Sequence, residues 1–299
     1  MIVIYFFIII INTITFFYII MKGGWFFMFK PRLFLIIILF FFLISGFSCA
    51  KEKINIQGST TVLPIIQIMA EEFMNDYPEY EVTISGGGSG VGIAALIDQI
   101  ADIAMSSREI KENELQKAHD KGLDVQEYAI AFDAIAIIVH EENDPIDRLD
   151  SNTLKKIYTG FVHNWKELGG YDRPLVAISR DTNSGTFEIF NEHILEDEEM
   201  APQVLRLTSN RPILDEVSRN LNAIGYVGFG YLTPQVKVLA LDDVEPTQEN
   251  VIRGSYPLSR ELFLYTATVP DEISLKFINY VFSDKGQRIV KEEGFIPIK

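Results

Sequence analysis

The sequence is poor in the residues that form disulfides and metal sites. It has one cysteine, Cys49, so no disulfide can form within the chain. Its four histidines are scattered, and no cysteine or histidine spacing suggests a zinc site. We therefore expect no metal and no cofactor.

Basic residues are also scarce. The 299 residues include 26 Lys and Arg against 41 Asp and Glu, a net charge of −15. Three of the cations, Lys22, Lys30 and Arg32, lie in the first fifty residues, which contain no acid. The remainder is therefore more acidic still, which makes a poor partner for nucleic acid or anionic lipid.

Motifs of hydrolases are missing as well. There is no G-x-S-x-G segment, and no histidine is flanked by glycine-rich loops. A hydrolase with a serine nucleophile is therefore disfavoured, and we expect a protein that is not an enzyme.

The N-terminal region has the pattern of an export signal. Residues 33–48, LFLIIILFFFLISGFS, follow the cations of MFKPR and precede Cys49. We expect residues 1–49 to be a leader, and because a signal starting at Met28 would be complete, Met1 need not be the initiating residue. A cysteine at this point resembles the lipobox of bacterial lipoproteins, which implies lipidation of Cys49. Gly46 stands where that box usually has Leu, and an uncleaved anchor with an incidental cysteine is the alternative.

From Lys51 onward, short apolar runs alternate with helical stretches. Four segments have the pattern of strands, KINIQGS, EVTIS, DIAMSS and EYAIAFDAIAIIVH, and each of the three segments between them has the pattern of a helix. This alternation indicates an α/β fold around a mainly parallel sheet. We expect two lobes, one from residues 50–130 with 231–299 and one from residues 131–230, with crossings near 130 and 230.

Three loops carry the chemistry of an anion site. They are GSTT at 58–61, GGGSG at 86–90 and RDTNSGT at 180–186, each between a predicted strand and a predicted helix. Helix N-termini leave backbone N–H groups unpaired, glycines let an anion approach them, and Ser and Thr add hydroxyl donors. Arg180 adds a full charge. Because local donors decide anion affinity, the screened negative net charge does not oppose such a site.

Each of these loops also has a simpler interpretation. GSTT could be a helix cap, and GGGSG could be a turn, since no Lys follows it as in a Walker loop. Arg180 could pair with Asp181 or another acid. The three loops together are the stronger signal.

The segments GSTTVLP, GGGSGVG, DIAMSSRE, SRDTNSGT and AIGYVGFGYL resemble the phosphate-binding lipoproteins of bacterial ABC phosphate importers, the PstS family. The resemblance covers roughly residues 54–299. It implies a two-lobed periplasmic-binding-protein-like fold of type II with a central cleft. It also implies a monomer that captures inorganic phosphate outside the cell membrane, where it is lipid-anchored or periplasmic, and delivers it to the permease and ATPase subunits of an importer.

The resemblance also implies a set of ligand residues. Some of these residues match the family's ligand positions, and others are candidates expected near those positions. The predicted phosphate-binding residues are Thr60, Thr61, Val62, Ser89, Ser107, Arg108, Asp133, Arg180, Ser184, Gly185 and Thr186. Well-known members have an Asp that accepts the proton of bound phosphate where this chain has Ser107. Asp133, in a predicted crossover strand, is the candidate replacement, and a capped or solvated acid is its alternative. The Ser107 hydroxyl is the other candidate acceptor.

Other functions stay open at this point. A site for sulfate, molybdate or tungstate would need similar donors. A surface adhesin or a phosphate sensor that does not serve transport is also compatible with the sequence.

Overall fold

The computed structural model describes residues 51–143, 146–267 and 270–298. Residues 51–299 form a compact unit of their own. The expected leader, the start site and Cys49 lie outside the described residues. In the described ranges, no helix combines the length and the apolar character that crossing a bilayer requires.

Strands and helices alternate along most of the chain. The strands are β1 (Glu52–Gly58), β2 (Tyr80–Ser85), β3 (Ile103–Ser106), β4 (Val125–His140), β5 (Arg148–Leu149), β6 (Val176–Arg180), β7 (Leu205–Leu207), β8 (Ala223–Gly228), β9 (Val236–Leu241), β10 (Ser259–Ala267) and β11 (Ile296–Pro297). The helices are α1 (Leu63–Asp76), α2 (Ser89–Ile97), α3 (Glu112–Asp120), α4 (Ser151–Tyr158), α5 (Gly185–Phe190), α6 (Asn210–Val217), α7 (Gln248–Ile252), α8 (Glu272–Val281) and α9 (Asp284–Glu292). Short helical turns cover Trp165–Leu168, Asn191–Leu195 and Phe229–Tyr231.

Helix α1 shows how the sequence sets these elements. Pro64 lies in its first turn, where the missing N–H removes no helical hydrogen bond. Ile65, Met69 and Phe73 recur at helical spacing and are completely buried. They pack in one apolar core with Ile56 of β1. The helix therefore fixes the loop that precedes it, residues 58–61, over the end of β1.

The long strand β4 joins two halves of the sheet. In the first half the order is β2-β1-β3-β10-β4, with β1 parallel to β2 and β3, and β10 antiparallel to β3 and β4. In the second half β8 and β9 run antiparallel to β4, while β6 is parallel to β8 and β7. Residues 125–134 of β4 pair with β10, and residues 135–140 pair with β8 and β9. We call the change of partner at residues 133–135 the junction.

One detail differs from the sequence-based expectation, and one observation bears on the predicted lobes. The sheet is mixed rather than mainly parallel, because β4, β9 and β10 introduce antiparallel pairs. In addition, Leu239 and Leu258 share the apolar core of Ile137 and Tyr226, which belong to the second half. The two-lobe division stays a prediction, and this packing favours a return at β10 rather than near residue 230.

Candidate anion-binding site

The three predicted loops meet at the junction. The Thr61 and Thr186 hydroxyl oxygens, from the first and third loops, are 3.0 Å apart. The backbone N–H of Gly90 donates to the carbonyl of Asn183 at 3.1 Å, which joins the second loop to the third. A Cβ atom on Gly185 would lie 2.5 Å from Ser89 Oγ, so the missing side chain permits this approach. The structure thus brings the three loops into contact across the two halves of the sheet.

Arg180 ends β6 at this point and is only 1% exposed. Its Nη2 donates to Thr60 Oγ1 at 3.0 Å and to the carbonyl of Thr208 at 2.9 Å. Its Nε and Nη1 are buried, and neither has a hydrogen-bond partner in the described chain. Burial lowers the pKa of Arg180, and nearby Arg260 adds to that effect, while Asp181 and two tyrosines oppose it.

The alternative pairing of Arg180 with an acid is not observed. Among the described residues, Arg180 takes part in no ion pair, and the carboxylate of Asp181 accepts instead from the N–H of Asn183 at 3.0 Å. A buried cation without a counterion is costly unless something compensates it. The unpaired donors of Arg180 are therefore the strongest anion-seeking feature of the site.

Two nitrogen donors hold the hydroxyl pair formed by Thr61 and Thr186. Asn210 Nδ2 donates to Thr61 Oγ1 at 3.0 Å, and Arg260 Nη1 donates to Thr186 Oγ1 at 3.0 Å. The N–H of Gly228 donates to Asn210 Oδ1 at 3.3 Å, which fixes the orientation of the amide. Each hydroxyl oxygen thus already accepts one hydrogen bond.

Asp133 is completely buried beside this pair. Its Oδ2 accepts from Nε and Nη2 of Arg260 at 2.9 and 2.6 Å, and its Oδ1 accepts from the N–H of Phe229 at 2.9 Å. Burial raises the pKa of Asp133, while the Arg260 charge and these hydrogen bonds oppose the increase. The carboxylate expected to accept a ligand proton is therefore already the counterion of Arg260.

Arg108 is also engaged elsewhere. Its Nη1 and Nη2 donate to the two carboxylate oxygens of Glu114, both at 2.8 Å. Its Nε lies in an ion pair with Glu188 of α5, which Lys111 also approaches at 3.0 Å. Burial lowers the pKa of Arg108, but Glu114 and Glu188 outweigh that effect and raise it. Its charge is thus compensated, and Arg108 connects the loop after β3 to α5 rather than offering an unpaired charge.

Several of the other predicted ligands have local partners. Ser89 Oγ accepts from the N–H of Ser107 at 3.0 Å, and the two serine hydroxyls are 3.3 Å apart. Ser184 caps α5 by accepting from the N–H of Phe187 at 3.3 Å. The N–H of Val62 points to Ser59 Oγ at 3.4 Å. These contacts hold the loops in shape, and the role of each residue toward a ligand stays a prediction.

Arg260 and Asn210 were not predicted as site residues. The signal for Arg260 was a basic residue, next to Glu261, in the largely apolar segment YPLSRELFLYT. Asn210 begins α6 and is completely buried, but its sequence context is that of an ordinary helix start. Across the described ranges, no three His, Cys, Asp or Glu side chains cluster in a way that could hold a metal ion.

Comparison with known proteins identifies the family. The PBP superfamily domain matches residues 45–285. The phosphate-binding protein PstS of Staphylococcus aureus (strain USA300) is 31% identical over 265 residues, which cover 84% of this chain and 80% of that protein. The chain belongs to the PstS family.

Solved structures of PstS-like proteins agree with this assignment. One is a substrate-binding protein of a phosphate ABC transporter from Clostridium perfringens, crystallised with bound phosphate. It is 36% identical to this chain with a TM-score of 0.76, and the match covers 83% of this chain and 100% of the C. perfringens chain. An ABC-type phosphate transport receptor from Vibrio cholerae is 31% identical with a TM-score of 0.69, covering 81% and 99%. The expected α/β fold of the periplasmic-binding-protein type II class is thereby confirmed.

Proposed function

We propose that this chain captures inorganic phosphate and delivers it to an ABC importer. The observation that carries the proposal is Arg180, a buried guanidinium whose Nε and Nη1 have no hydrogen-bond partner in the described chain. Charge-assisted hydrogen bonds to the oxygens of an oxyanion would give these donors partners.

The charges around the junction support a single anion. Arg260 is matched by Asp133, and Arg108 is matched by Glu114 and Glu188. Arg180 is left as the uncompensated cation among these three arginines. The hydroxyls of Thr61 and Thr186 supply further polar contacts beside it. This arrangement favours a small oxyanion with several acceptor atoms over a larger organic ligand.

Phosphate is the oxyanion that the relatives favour. The S. aureus relative is named a phosphate-binding protein. The C. perfringens structure holds phosphate, and the match covers the whole of the C. perfringens chain. Both exceed 30% identity to this chain. We therefore assign phosphate rather than sulfate or molybdate as the ligand, without a cofactor or a catalytic step.

The remaining features follow from delivery to an importer. We infer that the partners are the permease and ATPase subunits of that importer, and that the chain acts as a monomer. We also infer that residues 1–49 direct export and that a lipid on Cys49 anchors the protein to the outer face of the cell membrane. The segment that would carry the signal and the lipid lies outside the described residues.

Thermal melting tests the binding proposal. A ligand that binds only the folded protein stabilises it by about 2.7 kcal/mol at one hundred times its dissociation constant. Residues 51–299 form a compact unit, so this fragment is suitable. We expect the melting temperature to rise with millimolar phosphate and to stay constant with chloride at equal ionic strength. An unchanged melting temperature in phosphate would contradict the proposal.

A further inference from the structure

Asp133 has little acceptor capacity to spare. Arg260 donates twice to Oδ2, and the N–H group of Phe229 donates to Oδ1. A carboxylate offers about four lone-pair positions, and here both positions on Oδ2 and one on Oδ1 are occupied. A ligand hydroxyl could use only the second position on Oδ1, on a carboxylate whose charge Arg260 already balances.

The hydroxyl pair of Thr61 and Thr186 has a different balance. A hydroxyl carries one hydrogen and two lone pairs. Asn210 occupies one lone pair of Thr61, and Arg260 occupies one lone pair of Thr186. The contact between the two hydroxyls uses one hydrogen and one further lone pair. The pair is therefore left with one hydrogen to donate and one lone pair that can accept.

We propose that this hydroxyl pair, rather than Asp133, accepts the hydrogen bond that the P–OH group of bound phosphate donates, and that Arg260 positions the pair to do so. The inference rests on the proposed function, since it concerns the same site. Arg260 occupies Oδ2 of Asp133, donates to Thr186 and also donates to the carbonyl of Ser107 at 3.3 Å. The Arg260 guanidinium thereby contacts strand β4 at the junction, the loop after β3 in the first half and the third loop in the second half.

The donor and acceptor left on the pair match monoprotonated phosphate. Such a phosphate has several acceptor oxygens and one P–OH group, which needs an acceptor in a buried site. Sulfate has no hydrogen to donate and would leave the lone pair of the threonine pair without a partner. Discrimination then comes from a neutral hydroxyl and not from the repulsion that a free carboxylate would exert on sulfate.

The serine pair of Ser89 and Ser107 is the competing acceptor. Its hydroxyl contact is longer, at 3.3 Å, and Ser89 Oγ already accepts from the N–H of Ser107. In the described chain, no nitrogen donor is found on Ser107 Oγ, so its hydroxyl is free to rotate toward either role. The threonine pair is the one that two nitrogen donors orient.

The test compares the phosphate and sulfate affinities of four variants by calorimetry. Removing a donor weakens the binding of both anions. The ratio of the phosphate affinity to the sulfate affinity therefore isolates the hydrogen bond that the protein accepts from the ligand. We expect Thr61→Val/Thr186→Val to lower the phosphate-to-sulfate ratio by at least about 10-fold, equivalent to about 1.4 kcal/mol. Because Arg260 loses its counterion, we expect Asp133→Asn to strengthen the binding of both anions and to keep the ratio of the two affinities within about threefold of the parent's ratio.

Ser107→Ala and Thr266→Val complete the comparison. Thr266 lies on β10, is 1% exposed and has no hydrogen-bond partner for its hydroxyl in the described chain, so its variant controls for the loss of a buried threonine. We expect both to keep the parent's ratio. An unchanged ratio in the double variant, or a fall of about 10-fold in Asp133→Asn or Ser107→Ala, would overturn the inference.

Two further outcomes are also decisive. If the double variant binds neither anion, the Asp133→Asn and Ser107→Ala ratios decide: parent-like values in both support the inference, and a fall in either overturns it. If the parent protein itself binds no phosphate, the proposed function fails, which is distinct from a parent that binds phosphate with a different acceptor.

Discussion

Asp133 and Arg260 face each other in register on β4 and β10, and the Arg260 Nη2 atom lies 2.6 Å from Asp133 Oδ2. The two residues are 127 positions apart in sequence, and both are buried. β4 exchanges β10 for β8 and β9 directly after this pair. The ion pair therefore stands where the two halves of the sheet and the three donor loops come together.

Removing one partner of this pair should be costly to stability. We expect Arg260→Gln to lower the free energy of unfolding by about 3–5 kcal/mol, because it leaves the buried Asp133 uncompensated. The double variant Asp133→Asn/Arg260→Gln removes both charges and should recover much of that loss. Urea denaturation of four proteins, the parent, Arg260→Gln, Asp133→Asn and the double variant, measures the coupling. Additive losses in the double variant would show that the pair is not coupled.

Gly185 permits the close contact between the second and third loops. A Cβ atom there would lie 2.5 Å from Ser89 Oγ and 2.8 Å from Ser107 Oγ. We expect Gly185→Ala to weaken phosphate binding by at least about 10-fold, or about 1.4 kcal/mol, because the loops can no longer meet.

Gly90→Ala is the matched control for Gly185→Ala. Its Cβ atom would have ordinary contacts with Asn183 and Arg108 at 3.6 and 3.9 Å, although Gly90 lies at the same loop contact. Calorimetry should give this control an affinity within about threefold of the parent. Equal losses in both glycine variants would indicate that the contact has no part in binding.

Glu188 joins α5 to Arg108 and Lys111 across the junction. We expect Glu188→Gln to weaken phosphate binding, because Arg108 then loses the carboxylate that connects it to α5. Truncating one partner of a buried charge pair costs about 2–5 kcal/mol. The exposed neighbour Glu192 provides the control Glu192→Gln. Comparable affinities for the two variants in calorimetry would argue against a coupling role for Glu188.

The lipid anchor has a separate test in cells. We expect Cys49→Ala to abolish metabolic labelling with a fatty acid and to block processing by the lipoprotein peptidase, because lipidation requires the thiol. Electrophoresis of labelled membranes measures both effects. A Cys49→Ala protein that keeps its lipid label and its mature size would rule out Cys49 as the attachment point.

Local periodicity was enough to predict much of the first half of the fold. The strands β1 to β4 and the three helices between them follow from residue spacing and from the positions of Gly and Pro. The meeting of the three loops was also predictable, because ligands bind outside the carboxyl ends of strands in such folds. Arg180 could be chosen on that basis, whereas Thr61 and Thr186 were chosen from the family resemblance.

The remaining features depend on contacts distant in sequence. The adjacency of Arg108 to Ser107 suggested a ligand, but its partner Glu188 lies on helix α5, and only the fold brings the two side chains together. Likewise, Asp133 is satisfied by Arg260 through the register of β4 and β10, which sequence patterns do not specify. The role of Asp133 could therefore not be settled before its partner was visible.

Arg180 provides the most direct measurement of the central claim. Arg180→Gln shortens the side chain and removes the charged guanidinium, whose Nε and Nη1 have no partner in the described chain. Because a buried cation without a counterion is unfavourable, the phosphate-free variant should be at least as stable as the parent. Arg253→Gln, at an exposed residue of a surface ion pair, is the control. Calorimetric titration of residues 51–299 with phosphate should give one site per molecule in the parent and in Arg253→Gln, and no measurable binding in Arg180→Gln. Retention of parent-like phosphate affinity by a folded Arg180→Gln protein would contradict the account.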